Sequence, residues 1–108
     1  MKIRAFVAAA ALLSVGLSAH ADDAGGDPAL ALKGKALYAQ HCSHCHGFNM
    51  VNPGTVTYDL RQFPHGQKDR FVNSVIYGKG GIMPPWGDAI TLDDIDALWA
   101  YVLTEGHV

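Results

Sequence analysis

Five consecutive residues, Cys42-Ser43-His44-Cys45-His46, constrain this chain more than any other feature, and they contain both of its cysteines. Thiols this close cannot brace a fold as a disulfide, because the loop they close constrains the unfolded chain very little. A thioredoxin-like redox pair shares the spacing but expects a βαβ pattern, which the sequence lacks. Zinc could take Cys42, Cys45 and two nearby histidines. Structural zinc, however, joins ligand pairs separated along the chain, and no second Cys/His pair follows. The pattern that fits is C-x-x-C-H, the attachment site of a covalent haem. Two thiols at a helix end reach two vinyl groups along one side of a porphyrin, forming thioethers at Cys42 and Cys45. His46 then offers an imidazole nitrogen to the iron.

The start of the chain has a different purpose. Lys2 and Arg4 precede an uncharged apolar run, Ala5 to Ser18, and Ala19-His20-Ala21 supplies small residues at both positions a signal peptidase reads. Residues 1–21 are therefore expected to be a cleavable secretory signal, removed after Ala21, which places the product in the periplasm. The bland alternative, a membrane anchor, needs an apolar run of about 20 residues, longer than this one. Cleavage takes Lys2 and Arg4 with it, leaving six Lys/Arg against ten Asp/Glu and a charge of −4. An acidic product without an anchor is a poor match for nucleic acid or an anionic membrane surface. What remains is one small domain, residues 28–108, behind a polar Gly-rich stretch, 22–27, expected to be flexible. Domains this small are marginal on their own, and a tethered apolar cofactor supplies missing core.

The rest reads as all-α, with three to four helices. Asp27-Pro28 is an N-cap followed by proline at the first helical position, predicting a helix to about His41. Gly34 in its middle is costly unless another helix crosses there. Gly47 to Leu60 reads as an ordered loop, with a short helical turn possible around Asp59–Phe63. A second helix is predicted from about Gln67 to Tyr77, its apolar face Phe71, Val72, Val75 and Ile76, stopped by Gly78. Residues 78–87 carry too much glycine and proline for regular structure. Thr91 and Asp94 open the last helix, with Leu92, Ile95, Leu98, Trp99 and Val102 as its buried stripe.

A second iron ligand follows by elimination. Met1 leaves with the signal, and Met50 is only four residues beyond His46, about 14 Å of extended chain. Met83 lies well downstream in a loop stiffened by Pro84, and is expected to be the distal ligand, although a plain core side chain is the competing reading. Among histidines, only His65 is a serious rival; His41 and His44 flank the attachment site and His107 is terminal. The other nitrogen of a ligating histidine usually donates to a carbonyl, and the Pro53 carbonyl in Asn52-Pro53-Gly54 is the expected acceptor. Tyr58 and Trp86 either hydrogen-bond propionates or pack on the haem edge. Arg61 and Lys79 either neutralise a propionate or stay solvated.

Taken together, the helix bearing Gly34 and Tyr38, the Cys42–His46 motif, the Met83-Pro84-Pro85 loop and the helix with Trp99 resemble class I cytochromes c over residues 28–106. The resemblance implies that family's fold, with terminal helices crossing near the glycine around one covalent haem c. It also implies a monomeric one-electron carrier rather than an enzyme. A haem sensor or weak peroxidase with an open iron position is the alternative. Asn52-Pro53-Gly54-Thr55, Tyr58-Asp59-Leu60-Arg61, Arg70-Phe71 and Met83-Pro84-Pro85-Trp86-Gly87 are similar to small periplasmic cytochromes serving quinoprotein alcohol dehydrogenases. That narrower likeness implies a pyrroloquinoline-quinone (PQQ)-dependent alcohol dehydrogenase as donor, and a terminal oxidase or another cytochrome as acceptor.

Overall fold

The computed structural model describes residues 27–54 and 57–108. The expected signal, 1–21, most of the expected flexible stretch, 22–26, and Thr55 lie outside the described residues. Among the described residues four α-helices follow in order: α1 (Pro28–His41), α2 (Ser43–His46), α3 (Lys68–Tyr77) and α4 (Leu92–Leu103). Two 3-10 turns, Phe48–Met50 and Leu60–Gln62, sit between α2 and α3, and an antiparallel β bridge pairs Lys79 with Met83.

Each long helix begins where the local chemistry favours it. The Asp27 carboxylate accepts the Leu30 N–H at 3.1 Å, and Pro28 occupies the first position, where its missing donor costs nothing. At α4 the capping box closes both ways: Thr91 Oγ1 accepts from the Asp94 N–H at 3.1 Å, and the Asp94 carboxylate accepts from the Thr91 N–H at 3.3 Å. The turn expected near Asp59 exists, with the Asp59 carboxylate capping it by accepting the Arg61 N–H at 3.0 Å.

The principal helix contact is α1 on α4. Gly34 is the point of closest approach: a Cβ there would lie 1.8 Å from the Ala97 carbonyl oxygen and 2.9 Å from Tyr101 Cβ. Backbone meets backbone at this position, so any side chain is excluded. The Tyr38 and Tyr101 rings stack beside the crossing, with centroids 5.1 Å apart. Lys33 and Asp94 bridge its edge at 3.4 Å.

α3 lays Phe71 and Val75 into the core, with Val72 and Ile76 half-buried at its rim. Phe63 and Trp99 complete an aromatic cluster with Phe71, all three ring pairs having centroids 5.2–5.8 Å apart. Met50 is fully buried in the same core. The stripe expected on α4 needs one correction. Ile95, Leu98, Trp99 and Val102 are buried, but Leu92 is 65% exposed. It is the first residue of the helix, and Ala97, Ala100 and Tyr101 are buried beside the other four.

These features set two expectations. Gly34→Ala should cost about 2 kcal/mol or more in denaturant unfolding, because Ala97 is main chain and cannot rotate away. Gly66→Ala, with open space around the added methyl, should be close to neutral. At the α4 cap, hydrogen bonds from Thr91, its backbone N–H first, hold the Asp94 carboxyl below the usual carboxylate range. A depressed folded pKa means stability present at neutral pH and lost as pH falls through that value. Thr91→Ala should cost about 1 kcal/mol. Asp94→Ala should differ most from the parent at neutral pH and converge with it in strong acid, as read from thermal unfolding across pH.

Candidate functional site

The Cys42–His46 motif continues directly from α1. The Cys42 N–H donates to the Tyr38 carbonyl at 2.8 Å, and the His46 and Gly47 N–H groups donate to the Cys42 and Ser43 carbonyls at 2.9 Å each. Ser43 Oγ donates to the Ala39 carbonyl at 2.7 Å, tying the short α2 to the last turn of α1. The two cysteines form no disulfide; Cys42 is half-buried and Cys45 exposed. Before attachment, burial, reinforced by the neighbouring Cys45, pushes the Cys42 thiol up to about 12.

His46 is half-buried, with Nδ1 3.0 Å from the Tyr58 carbonyl oxygen. A carbonyl only accepts, so Nδ1 carries the hydrogen and Nε2 of the neutral ring keeps its lone pair. Burial holds the imidazole below the usual histidine range, opposing protonation of that lone pair. The acceptor is not the expected Pro53 carbonyl. Asn52 explains why: its Oδ1 accepts the Gly54 N–H at 2.8 Å and its Nδ2 donates to the Thr57 carbonyl at 2.5 Å. Asn52 thereby ties Gly54 and Thr57 together next to Tyr58, while Pro53 is exposed.

Tyr58 acts on His46 through its backbone, while its hydroxyl donates to the Gln62 carbonyl at 3.3 Å and its ring meets Phe63 edge-on. Arg61 gives its guanidinium fork to the Asp59 carboxylate, at 3.0 and 2.8 Å. Trp86 is half-buried, and its ring lies 5.3 Å from that of His41, bringing the loop after Met83 to the end of α1. His65 is paired with Glu105 at 3.4 Å at the C-terminal end of the chain. Met83 is half-buried beside the core, exchanging two main-chain hydrogen bonds with Lys79 at 3.0 and 3.1 Å.

One constituent was missed from sequence. Tyr38 Oη donates to the Gly47 carbonyl at 2.6 Å, a buried bond anchoring the residue next to His46. An aromatic four residues before Cys42 is visible in the sequence, but nothing there says that its hydroxyl turns inward.

The residues present fit a large apolar cofactor. Leu60, Val72, Ile76, Met83 and Trp86 pack on the core while keeping part of their surface uncovered, and they come from three separate segments of the chain. Two cysteine side chains outside any disulfide and a neutral imidazole adjoin one another on the motif. Zinc fits less well, since no group of three or more His, Cys, Asp or Glu side chains converges among the described residues.

Comparison with known proteins identifies the group. Residues 29–102 match the family model described as cytochrome c oxidase, cbb3-type, subunit III. The chain belongs to this cytochrome c family. It is 34% identical over 86 residues to the cbb3-type cytochrome c oxidase subunit FixP of Azorhizobium caulinodans, covering 75% of this chain and 29% of that protein. It is 32% identical over 76 residues to the quinohemoprotein alcohol dehydrogenase ADH IIB of Pseudomonas putida, covering 68% of this chain and 11% of that protein. Cytochrome c6 of Microcystis aeruginosa is 30% identical over 78 residues, covering 68% of this chain and 95% of its own length. The chain thus spans less than a third of the first two relatives and nearly all of the third. No solved structure matches it significantly.

This cytochrome c domain is all-α, its cofactor is covalent haem c, and it is an electron-carrier domain. No helix among the described residues is long and apolar enough to cross a membrane. Thioether attachment sets a direct expectation. Haem should stay with the polypeptide through denaturation and acidic organic extraction, adding its mass to the intact chain. Cys42→Ser with Cys45→Ser should release it under the same treatment.

Proposed function

We propose that this protein is a periplasmic one-electron carrier whose haem would be held by Cys42 and Cys45, with His46 and Met83 as its iron ligands. The observation that carries the reading is the His46–Tyr58 hydrogen bond, which leaves Nε2 of a neutral, half-buried imidazole as a ready iron ligand. Haem supplies a ferric–ferrous couple, and a methionine opposite a histidine raises its potential. His46 is oriented from two sides, by the Tyr58 carbonyl and by Tyr38 through Gly47. Met83 presents a soft thioether from a short hairpin, and the aromatic core around Trp99 keeps water from the interior. Two ligands fixed to the backbone favour transfer of an electron over binding and turnover of an added molecule, which needs an open position.

In this reading residues 1–21 are the export signal and 28–108 the haem domain. The donor is a PQQ-dependent alcohol dehydrogenase. Support comes from the Tyr58–Arg61 and Met83–Gly87 motifs and from the likeness to a protein named as a quinohemoprotein alcohol dehydrogenase. The acceptor is a terminal oxidase or another cytochrome, in keeping with the likeness to a cbb3-type oxidase subunit. The acidic mature charge argues for docking without a lysine ring, and a carrier that must leave between partners needs only a small, transient interface.

The ferric protein should be low-spin and show the weak far-red sulfur-to-iron band, and Met83→Ala should abolish that band and lower the midpoint potential. High-spin ferric iron in the parent would favour a sensor or peroxidase instead. Stopped-flow mixing with the reduced quinoprotein dehydrogenase of the same source should show rapid haem reduction; its absence would remove that donor while leaving the carrier assignment intact.

A further inference from the structure

The loop carrying Met83 is fastened at its back, and the fastening centres on a residue without a side chain. α3 ends at Tyr77, and Gly78 follows at φ 74°, ψ −179°, a combination essentially restricted to glycine. A Cβ at Gly78 would lie 2.5 Å from the Met83 carbonyl oxygen, 2.9 Å from the Pro85 nitrogen and 3.0 Å from the Pro84 carbonyl carbon. All three atoms are main chain of the Met83-Pro84-Pro85 segment, so none can rotate aside. Next door, the Lys79 N–H donates to the Met83 carbonyl at 3.0 Å and the Met83 N–H to the Lys79 carbonyl at 3.1 Å. Beyond the prolines, the Trp86 N–H donates to the Val75 carbonyl at 2.8 Å and the Gly87 N–H to the Ile76 carbonyl at 3.2 Å. Those carbonyls belong to the last turn of α3, where partners inside the helix have run out.

We infer that Gly78 is the positioning residue for Met83: the loop closes onto the bare backbone of Gly78 and caps α3, and this contact sets where the thioether stands. The inference rests on Met83 being the distal ligand. Proline prevents Pro84 and Pro85 from donating main-chain hydrogen bonds of their own. The segment is therefore held by its ends and by the Gly78 contact. A methyl group at Gly78 must push the Met83 main chain outward, weakening the sulfur–iron bond without altering any ligand.

The test uses the haem-loaded, full-length protein and two readouts, the far-red ferric band and the affinity for added imidazole, which competes for the position Met83 leaves. Gly78→Ala should lose most of the band and bind imidazole about tenfold tighter or more, since apparent affinity rises with the fraction of molecules in which the position is open. Gly80→Asn is the control. Gly80 also has a positive φ, 59°, but nothing lies within 4 Å of its Cβ position, and asparagine tolerates that conformation, so both readouts should stay at parental values. Gly78→Ala that folds with the parental band and imidazole affinity overturns the proposal. Should it not accumulate, Gly87→Ala carries the test. Its Cβ would stand 3.0 Å from Ile76 Cγ2 and 3.1 Å from the Ile76 oxygen, loosening the second fastening, and a smaller change in the same direction is expected. Unchanged readouts there overturn the proposal as well. A parental band that survives Met83→Ala removes Met83 as ligand, and this inference falls with it. A band lost in Met83→Ala yet intact in Gly78→Ala defeats the positioning role alone.

Discussion

Backbone contact between α1 and α4 at Gly34 governs the rest of the architecture. With no side chain at that position, the Ala97 carbonyl sits where a Cβ would be, and the two helices approach more closely than ordinary side chains permit. Tyr38 and Tyr101 then stack beside the crossing, and the same Tyr38 reaches the Gly47 carbonyl through its hydroxyl. One contact thus fixes the angle at which α1 delivers Cys42, Cys45 and His46, and it places α4 so that Trp99 faces Phe63 and Phe71. Close packing of this kind has little slack, so a shift at the crossing is passed on to the attachment motif.

Both proposed iron ligands are held by main chain. His46 answers to the Tyr58 carbonyl, and Met83 to Lys79, Gly78 and the capped end of α3. Holding a ligand through peptide groups leaves surrounding side chains free to vary in charge and size without disturbing the iron's neighbours. Several charged side chains pair with one another away from the motif: Arg61 with Asp59, Lys68 with Asp96 and Lys33 with Asp94. The Arg61 pairing bears directly on function, because a guanidinium fork shared with a carboxylate is a weaker draw for a propionate than a free one.

The relatives come from two settings, long proteins in which such a domain is a minor part and a short protein that it nearly fills. A fold this economical is compatible with both, since its core closes on its own helices and the thioethers tie the cofactor to a single short motif.

Helix positions were legible in the sequence because caps, proline and glycine act locally. Asp27-Pro28, Thr91 with Asp94, and Gly78 mark three boundaries within one residue of where they lie. The attachment motif was equally legible, its spacing being dictated by the covalent chemistry of two thiols and a histidine. Even the crossing at Gly34 could be anticipated, as a glycine that helix propensity alone does not excuse. Partners across space were not legible. The acceptor for His46 is the Tyr58 carbonyl rather than that of Pro53, with the Asn52 side chain hydrogen-bonded to both Gly54 and Thr57, and Leu92, at the first position of α4, stands outside the core. The inward turn of the Tyr38 hydroxyl and the seating of Met83 against Gly78 belong to the same class. Each depends on where a distant stretch of backbone arrives, which local propensity does not encode and only the packed structure decides.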